Sequence, residues 1–142
     1  MSAYVPVDLQ KQIRDQFTNC CAYCHTAENL TVAIFELEHI VPLKAGGETV
    51  VDNLCLACPT CNRYKATRQT FTDIATGQTV PLFHPQSQKW GDHFAWDETA
   101  TKLVGLTATG RATIAALRMN REQLVRVRRM WVKLGEHPPH IR

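Results

Sequence analysis

Four of the six cysteines in this 142-residue chain form two pairs with the same internal spacing, Cys21-Ala22-Tyr23-Cys24 and Cys58-Pro59-Thr60-Cys61. A tetrahedral zinc ion takes four thiolates at ~2.3 Å, and two C-x-x-C knuckles on separate turns supply them without strain. Thirty-three residues lie between Cys24 and Cys58, more than a standard zinc ribbon holds, so a folded insert is expected between the knuckles. A structural zinc ion on Cys21, Cys24, Cys58 and Cys61 is the expectation, with redox use or a disulfide as the alternatives. Cys20 and Cys55 are left over and read as buried, hydrophobe-like thiols. Cys55 also makes a third C-x-x-C with Cys58, so the choice of Cys61 over Cys55 decides where the following helix begins.

The insert carries polar residues in a distinctive order. Phe35-Glu36-Leu37-Glu38-His39-Ile40-Val41-Pro42 comes first, then Gly46-Gly47, then Asp52-Asn53-Leu54, and the second knuckle runs on into Asn62-Arg63-Tyr64-Lys65. This order resembles the HNH endonuclease family: an acid and a histidine before an apolar run and Pro, a Gly-Gly turn, Asn-Leu, then C-x-x-C followed by His or Asn. The resemblance covers about residues 20–66. The stretches around Gly110-Arg111-Ala112-Thr113 and residues 90–96 are similar to the tail of one bacterial subgroup.

Hydrolysis of a phosphodiester requires an activated water, a cation on the charge developing at phosphorus, and help for the leaving oxygen. The resemblance implies His39 as general base, and an imidazole with its ordinary pKa of ~6.5 is largely neutral at pH 7 and able to take a proton. It implies Asn53 as the residue that orients that imidazole, through backbone or side chain. It implies Glu38 and Asn62 as ligands of a catalytic cation, in an H-N-N variant of the motif. A carboxylate and an amide oxygen are hard ligands that favour Mg²⁺ or Mn²⁺. Glu38 is one methylene longer than the family's commoner Asp. The implied activity is endonucleolytic cleavage of DNA, most simply double-stranded, leaving 3′-hydroxyl and 5′-phosphate ends. Two rivals are a zinc-stapled module that binds nucleic acid or a partner without cutting, and a thiol–disulfide oxidoreductase, for which no βαβ pattern is present.

Asp8 is placed to cap a helix bearing Leu9, Ile13 and Phe17 on one face. Residues 30–37 are β-branched and aromatic and predict a strand, with Val50-Val51 as a short return. Pro59 suits the first turn of a helix through Lys65. Residues 79–83, 93–96 and 102–106 predict further strands, and Thr107 caps a helix with Ile114 and Leu117 inward. Asn120 with Gln123 resembles a capping box for a last helix. There Leu124, Val127, Met130, Trp131 and Leu134 share one arc, with Arg126, Arg129 and Lys133 opposite. The expected architecture is α+β: one domain over residues 1–142, a zinc-anchored ββα-metal unit with extra short strands and a basic C-terminal helical pair, the accessory part spanning about 77–135. Trp90, Trp96 and Trp131 are read as core residues.

Charge is unevenly spread. Residues 1–110 hold eight Lys/Arg against eleven Asp/Glu, residues 111–142 eight against two, and the whole chain is +3. A basic C-terminal third fits an anionic partner. Arg63, Lys65, Arg68, Arg126, Arg129 and Lys133 are the candidate phosphate contacts, with Lys65 at a basic position common in the resembling family; such contacts imply low sequence specificity and strong salt sensitivity. No stretch is apolar enough to span a bilayer, and residues 1–8 lack the basic flank and apolar run of a signal peptide, so the cytosol is the expected compartment.

Overall fold

The computed structural model describes residues 4–141; residues 1–3, part of the stretch read for a signal peptide, and residue 142 lie outside it. Helix α1 (Val7–Gln16) follows Pro6 and carries Asp8 in its first turn, where a carboxylate faces the positive end of the helix dipole. Asp8 is therefore one turn position inside the helix rather than its cap. Ile13 is buried, and Leu9 and Phe17 pack against the same core.

Of residues 30–37, expected as a strand, only Glu36 and Leu37 lie in one. A single 3-10 turn (Glu28–Leu30) is followed by bends, and strand β1 is Glu36–His39. The reason lies in the backbone of Phe35: its N–H donates to Glu28 Oε2 at 2.6 Å and its carbonyl accepts from Arg14 Nη2 at 2.9 Å. Arg14 and Glu28 are themselves ion-paired at 2.6 Å. With those groups satisfied by side chains, no neighbouring strand is needed there. Val32 and Ile34, apolar though they are, stand in solvent.

The return strand is also displaced from Val50-Val51. Residues Val51–Asn53 make a 3-10 turn, and β2 is Leu54–Ala57, all four buried. β1 and β2 pair antiparallel, Glu36 opposite Ala57, Glu38 opposite Cys55 and His39 opposite Leu54. Helix α2 (Pro59–Lys65) follows at once. Its N-cap is Cys58, whose sulfur accepts from the Cys61 N–H, and Pro59 occupies the first turn as expected.

Two more antiparallel hairpins complete the sheet structure: β3 (Thr70–Thr72) with β4 (Thr79–Pro81), and β5 (Phe94–Trp96) with β6 (Leu103–Gly105). β3 holds a single apolar residue, Phe71, between two threonines, too short a pattern to announce a strand. The β3–β4 hairpin is fastened by Asp73, which accepts from Nε and Nη2 of Arg111 at 3.0 and 2.9 Å. A short helix α3 (Trp90–His93) precedes β5.

Thr107 caps α4 (Ala108–Ala116), its hydroxyl accepting from Gly110 N–H as expected; Leu117 is buried and Ile114 partly so. A Cβ on Gly110 would lie 2.1 Å from the His93 carbonyl oxygen, so glycine lets α4 close onto α3. The expected capping box is absent. Arg121 stands at the N-cap of α5 (Glu122–Lys133), and Asn120 instead bonds the backbone N–H and C=O of Leu103.

α5 buries Leu124, Val125, Arg128 and Trp131, whereas Met130 and Leu134 of the expected arc are exposed. One cluster of buried apolar side chains runs from Ile13 through the β1–β2 hairpin to Leu124 and Trp131. Trp90 and Trp96 pack against that cluster. The fold is mixed α+β, small hairpins and helices around the cysteine knuckles.

Candidate functional site

Cys21, Cys24, Cys58 and Cys61 are all buried, and their sulfurs lie within 4.8 Å of one another. Cys24 and Cys58 Sγ are 3.8 Å apart. A tetrahedron with Zn–S of ~2.3 Å has edges of about 3.8 Å, so the cluster has the size of a zinc site. The chemistry of its surroundings agrees. Arg128 has no exposed surface, yet its Nε and Nη2 have no hydrogen-bond partner; Nη1 reaches Thr101 O and Asn120 Oδ1, and the guanidinium lies over Trp96 at 5.0 Å. Burial opposes the Arg121 cation, but the sulfurs of Cys61, Cys24 and Cys58 outweigh it and raise its pKa. Four thiolates around one Zn²⁺ would carry a net double negative charge, which suits the Arg121 cation.

The spare thiols are elsewhere. Cys20 donates to Thr18 O, and burial pushes it up to about 11. Cys55 donates to Glu38 Oε2 at 3.1 Å. Neither belongs to the four-sulfur cluster. The described strand pairs are all antiparallel, which removes the scaffold that a thioredoxin-like reading requires.

Helix α2 packs on β1, and two polar rungs cross between them. Glu36 and Glu38 alternate onto the same face of β1, while Asn62 and Lys65, three apart, share a face of α2. On the outer rung Asn62 Nδ2 donates to Glu36 Oε1 at 2.7 Å, in solvent. On the inner rung Lys65 Nζ lies 2.6 Å from Glu38 Oε1, with both side chains out of solvent. That inner contact is an ion pair without hydrogen-bond geometry at Oε1. Tyr23 donates to Glu38 Oε2 at 2.7 Å, and Lys65 donates to Ile40 O at 2.8 Å.

Two expectations are therefore corrected. The structure does not bring Glu38 to Asn62; Glu38 is held in a buried ion pair, and Asn62 meets Glu36. Lys65, expected among the phosphate contacts, is buried, with its ammonium engaged by Glu38 and the Ile40 carbonyl rather than presented at the surface.

His39, half-buried at the end of β1, has Nε2 2.9 Å from Thr49 Oγ1. Asn53 does not touch the imidazole through its side chain. Its Oδ1 accepts from Val41 N–H at 2.8 Å, and its Nδ2 donates to Val41 O and Glu48 O at 3.0 and 2.9 Å. Asn53 thus clamps the loop between β1 and β2, and Thr49, on that loop, meets the imidazole. Gly47 is required in the same clamp: a Cβ there would lie 1.8 Å from Val41 O. Thr49 and Glu36 escaped the sequence reading. For Glu36 a signal existed, since strand alternation puts it on the same side as Glu38.

Arg63, Arg68, Arg126, Arg129 and Lys133 are exposed. Arg68 donates to Tyr64 O at 2.6 Å, closing the end of α2. Arg118, also missed from sequence, covers the Tyr64 ring at 4.7 Å.

Residues 21–68 match the family described as HNH endonuclease, a span that includes both knuckles, His39, Asn53 and Asn62. No curated protein and no solved structure gives a significant match. Among the described residues no helix is long and apolar enough to cross a membrane. Hairpin, knuckles and helix coincide with the matched span: residues 21–68 are an HNH endonuclease domain with a four-cysteine cluster consistent with a zinc-binding site.

Proposed function

We propose that the chain is a metal-dependent endonuclease that hydrolyses DNA phosphodiester bonds. The observation that carries this reading is the HNH match across a span in which the cysteine cluster starts α2 and α2 meets β1 just before His39. His39 is the general base. Thr49 engages Nε2, which leaves Nδ1 to take the proton from an attacking water. Asn53, by clamping the loop that bears Thr49, is a positioning residue.

A divalent cation, Mg²⁺ or Mn²⁺, fits the hard oxygens of a β1 carboxylate and Asn62, and when bound supplies charge stabilisation at phosphorus. Arg63, Arg68, Arg126, Arg129 and Lys133 are exposed and contact backbone phosphates, which positions a duplex without reading its sequence. The cut ends are 3′-hydroxyl and 5′-phosphate, and the site of action is the cytoplasm.

One observation favours a second reading. Glu38, the acid next to the histidine, is occupied by Lys65, as it would be in a module that binds nucleic acid without cutting. Supercoiled plasmid separates the two. Nicks that appear on adding Mg²⁺ or Mn²⁺, and not without it, are expected of the nuclease. Retention of plasmid with no nick under any divalent ion rejects it in favour of the binding module.

A further inference from the structure

We propose that Glu36, rather than the acid adjacent to the histidine, is the carboxylate that holds the catalytic divalent ion together with Asn62. The inference rests on the nuclease reading, because it concerns the ion that reading calls for. It begins with the difference between the two rungs. The inner one is closed: Glu38 is 4% exposed and faces an ammonium, a phenol and a thiol, from Lys65, Tyr23 and Cys55. A cation binding there has to displace Lys65, itself 1% exposed, and leave a buried ammonium without its counter-charge. The outer rung is open. Glu36 is exposed, and the described structure gives its carboxylate the single side-chain partner Asn62.

That partner is readily exchanged. Asn62 presents its Nδ2 to Glu36 Oε1, an amide N–H donor standing where a cation would stand. Rotation of the amide by a half turn would place Oδ1 there instead, so that a carboxylate and an amide oxygen, both hard donors, would hold the ion. Asn62 is fixed for this by its neighbour Cys61, a member of the four-sulfur cluster, and Glu36 by its pairing with Ala57. Glu38 acquires a different task. Its contacts with Tyr23, Cys55 and Lys65 make it part of the buried packing between the first knuckle, β2 and α2.

The test is Mn²⁺ affinity of the zinc-loaded protein, read from the electron paramagnetic resonance of free Mn²⁺, alongside melting temperature. Glu36→Gln is expected to weaken Mn²⁺ binding at least tenfold without lowering the melting temperature. Glu38→Gln leaves a lysine unpaired and is expected to melt lower, so the charge-balanced double variant Glu38→Gln/Lys65→Met carries the comparison; its Mn²⁺ affinity is expected to stay within threefold of the parent. Parent-like binding by Glu36→Gln, or loss of binding by the folded double variant, overturns the assignment. If the parent nicks plasmid while Glu36→Gln binds Mn²⁺ normally, only the Glu36 assignment falls. A parent protein that neither binds Mn²⁺ nor nicks removes the nuclease reading and this inference with it.

Discussion

Replacing Asn53 by Ala removes three hydrogen bonds at once, and all three close the loop that carries Thr49 to His39. At roughly 1 kcal/mol net per bond the expected destabilisation is about 3 kcal/mol, with more if the Val41 N–H finds no water. For a chain of this size each kcal/mol lowers the melting temperature by ~2–4 °C, so a fall of about 6–12 °C is expected. The Asn53 backbone carbonyl, which accepts from Ile40 N–H at 2.9 Å, survives the substitution, so β1 and β2 remain paired. The variant is therefore expected to stay folded at 25 °C and to lose nicking activity beyond what its stability explains, because the imidazole loses its held position. Urea denaturation followed by tryptophan fluorescence, with nicking rates on the same samples, measures both. A variant within ~1 kcal/mol of the parent, or one that cuts at the parental rate, would refute the idea that this amide organises the base.

Zinc content discriminates among the six thiols: Cys20→Ser and Cys55→Ser are expected to retain one ion per chain after dialysis. Cys61→Ser is expected to lose the ion and with it cooperative folding, since structural zinc contributes ~10–16 kcal/mol in comparable small sites; equal zinc in all three variants would contradict the assignment. Arg111 holds Asp73 down to about 2, helped by the Thr76 hydroxyl and against some desolvation. A depressed carboxylate adds stability that is complete above its unfolded pKa of ~3.9 and is lost as pH falls through the folded value. Urea midpoints should therefore drop between about pH 4 and pH 2, and Asp73→Asn should lack that part of the acid limb; parallel curves for the two proteins would exclude Asp73 as the cause.

The four-cysteine cluster was legible from spacing alone, because a C-x-x-C turn dictates where two sulfurs point whatever surrounds it. Helix α2 was legible for a related reason: Cys58 and Pro59 mark both a ligand turn and a first helical turn. The region before β1 was not. Its β-branched residues fit a strand, and nothing local announces that Arg14 and Glu28 will take the backbone groups of Phe35. The partner of Glu38 was hidden for the same kind of reason, since Lys65 arrives from the next helix. Arg128 lies four residues after Leu124 and three before Trp131, so helical spacing places it inward. Before β1 and at Glu38, what escaped the sequence is a polar side chain whose partner is distant along the chain.

The nuclease reading is tested most directly by one comparison: the Mg²⁺-dependent rate of plasmid nicking by the zinc-loaded parent and by His39→Ala at equal zinc content. Loss of a general base is expected to cut the rate by ~10²–10⁴-fold while melting temperature and DNA retention stay near parental values. Equal rates in the two proteins would show that the cutting does not come from this imidazole, and the assignment of residues 21–68 as a working catalytic unit would fail.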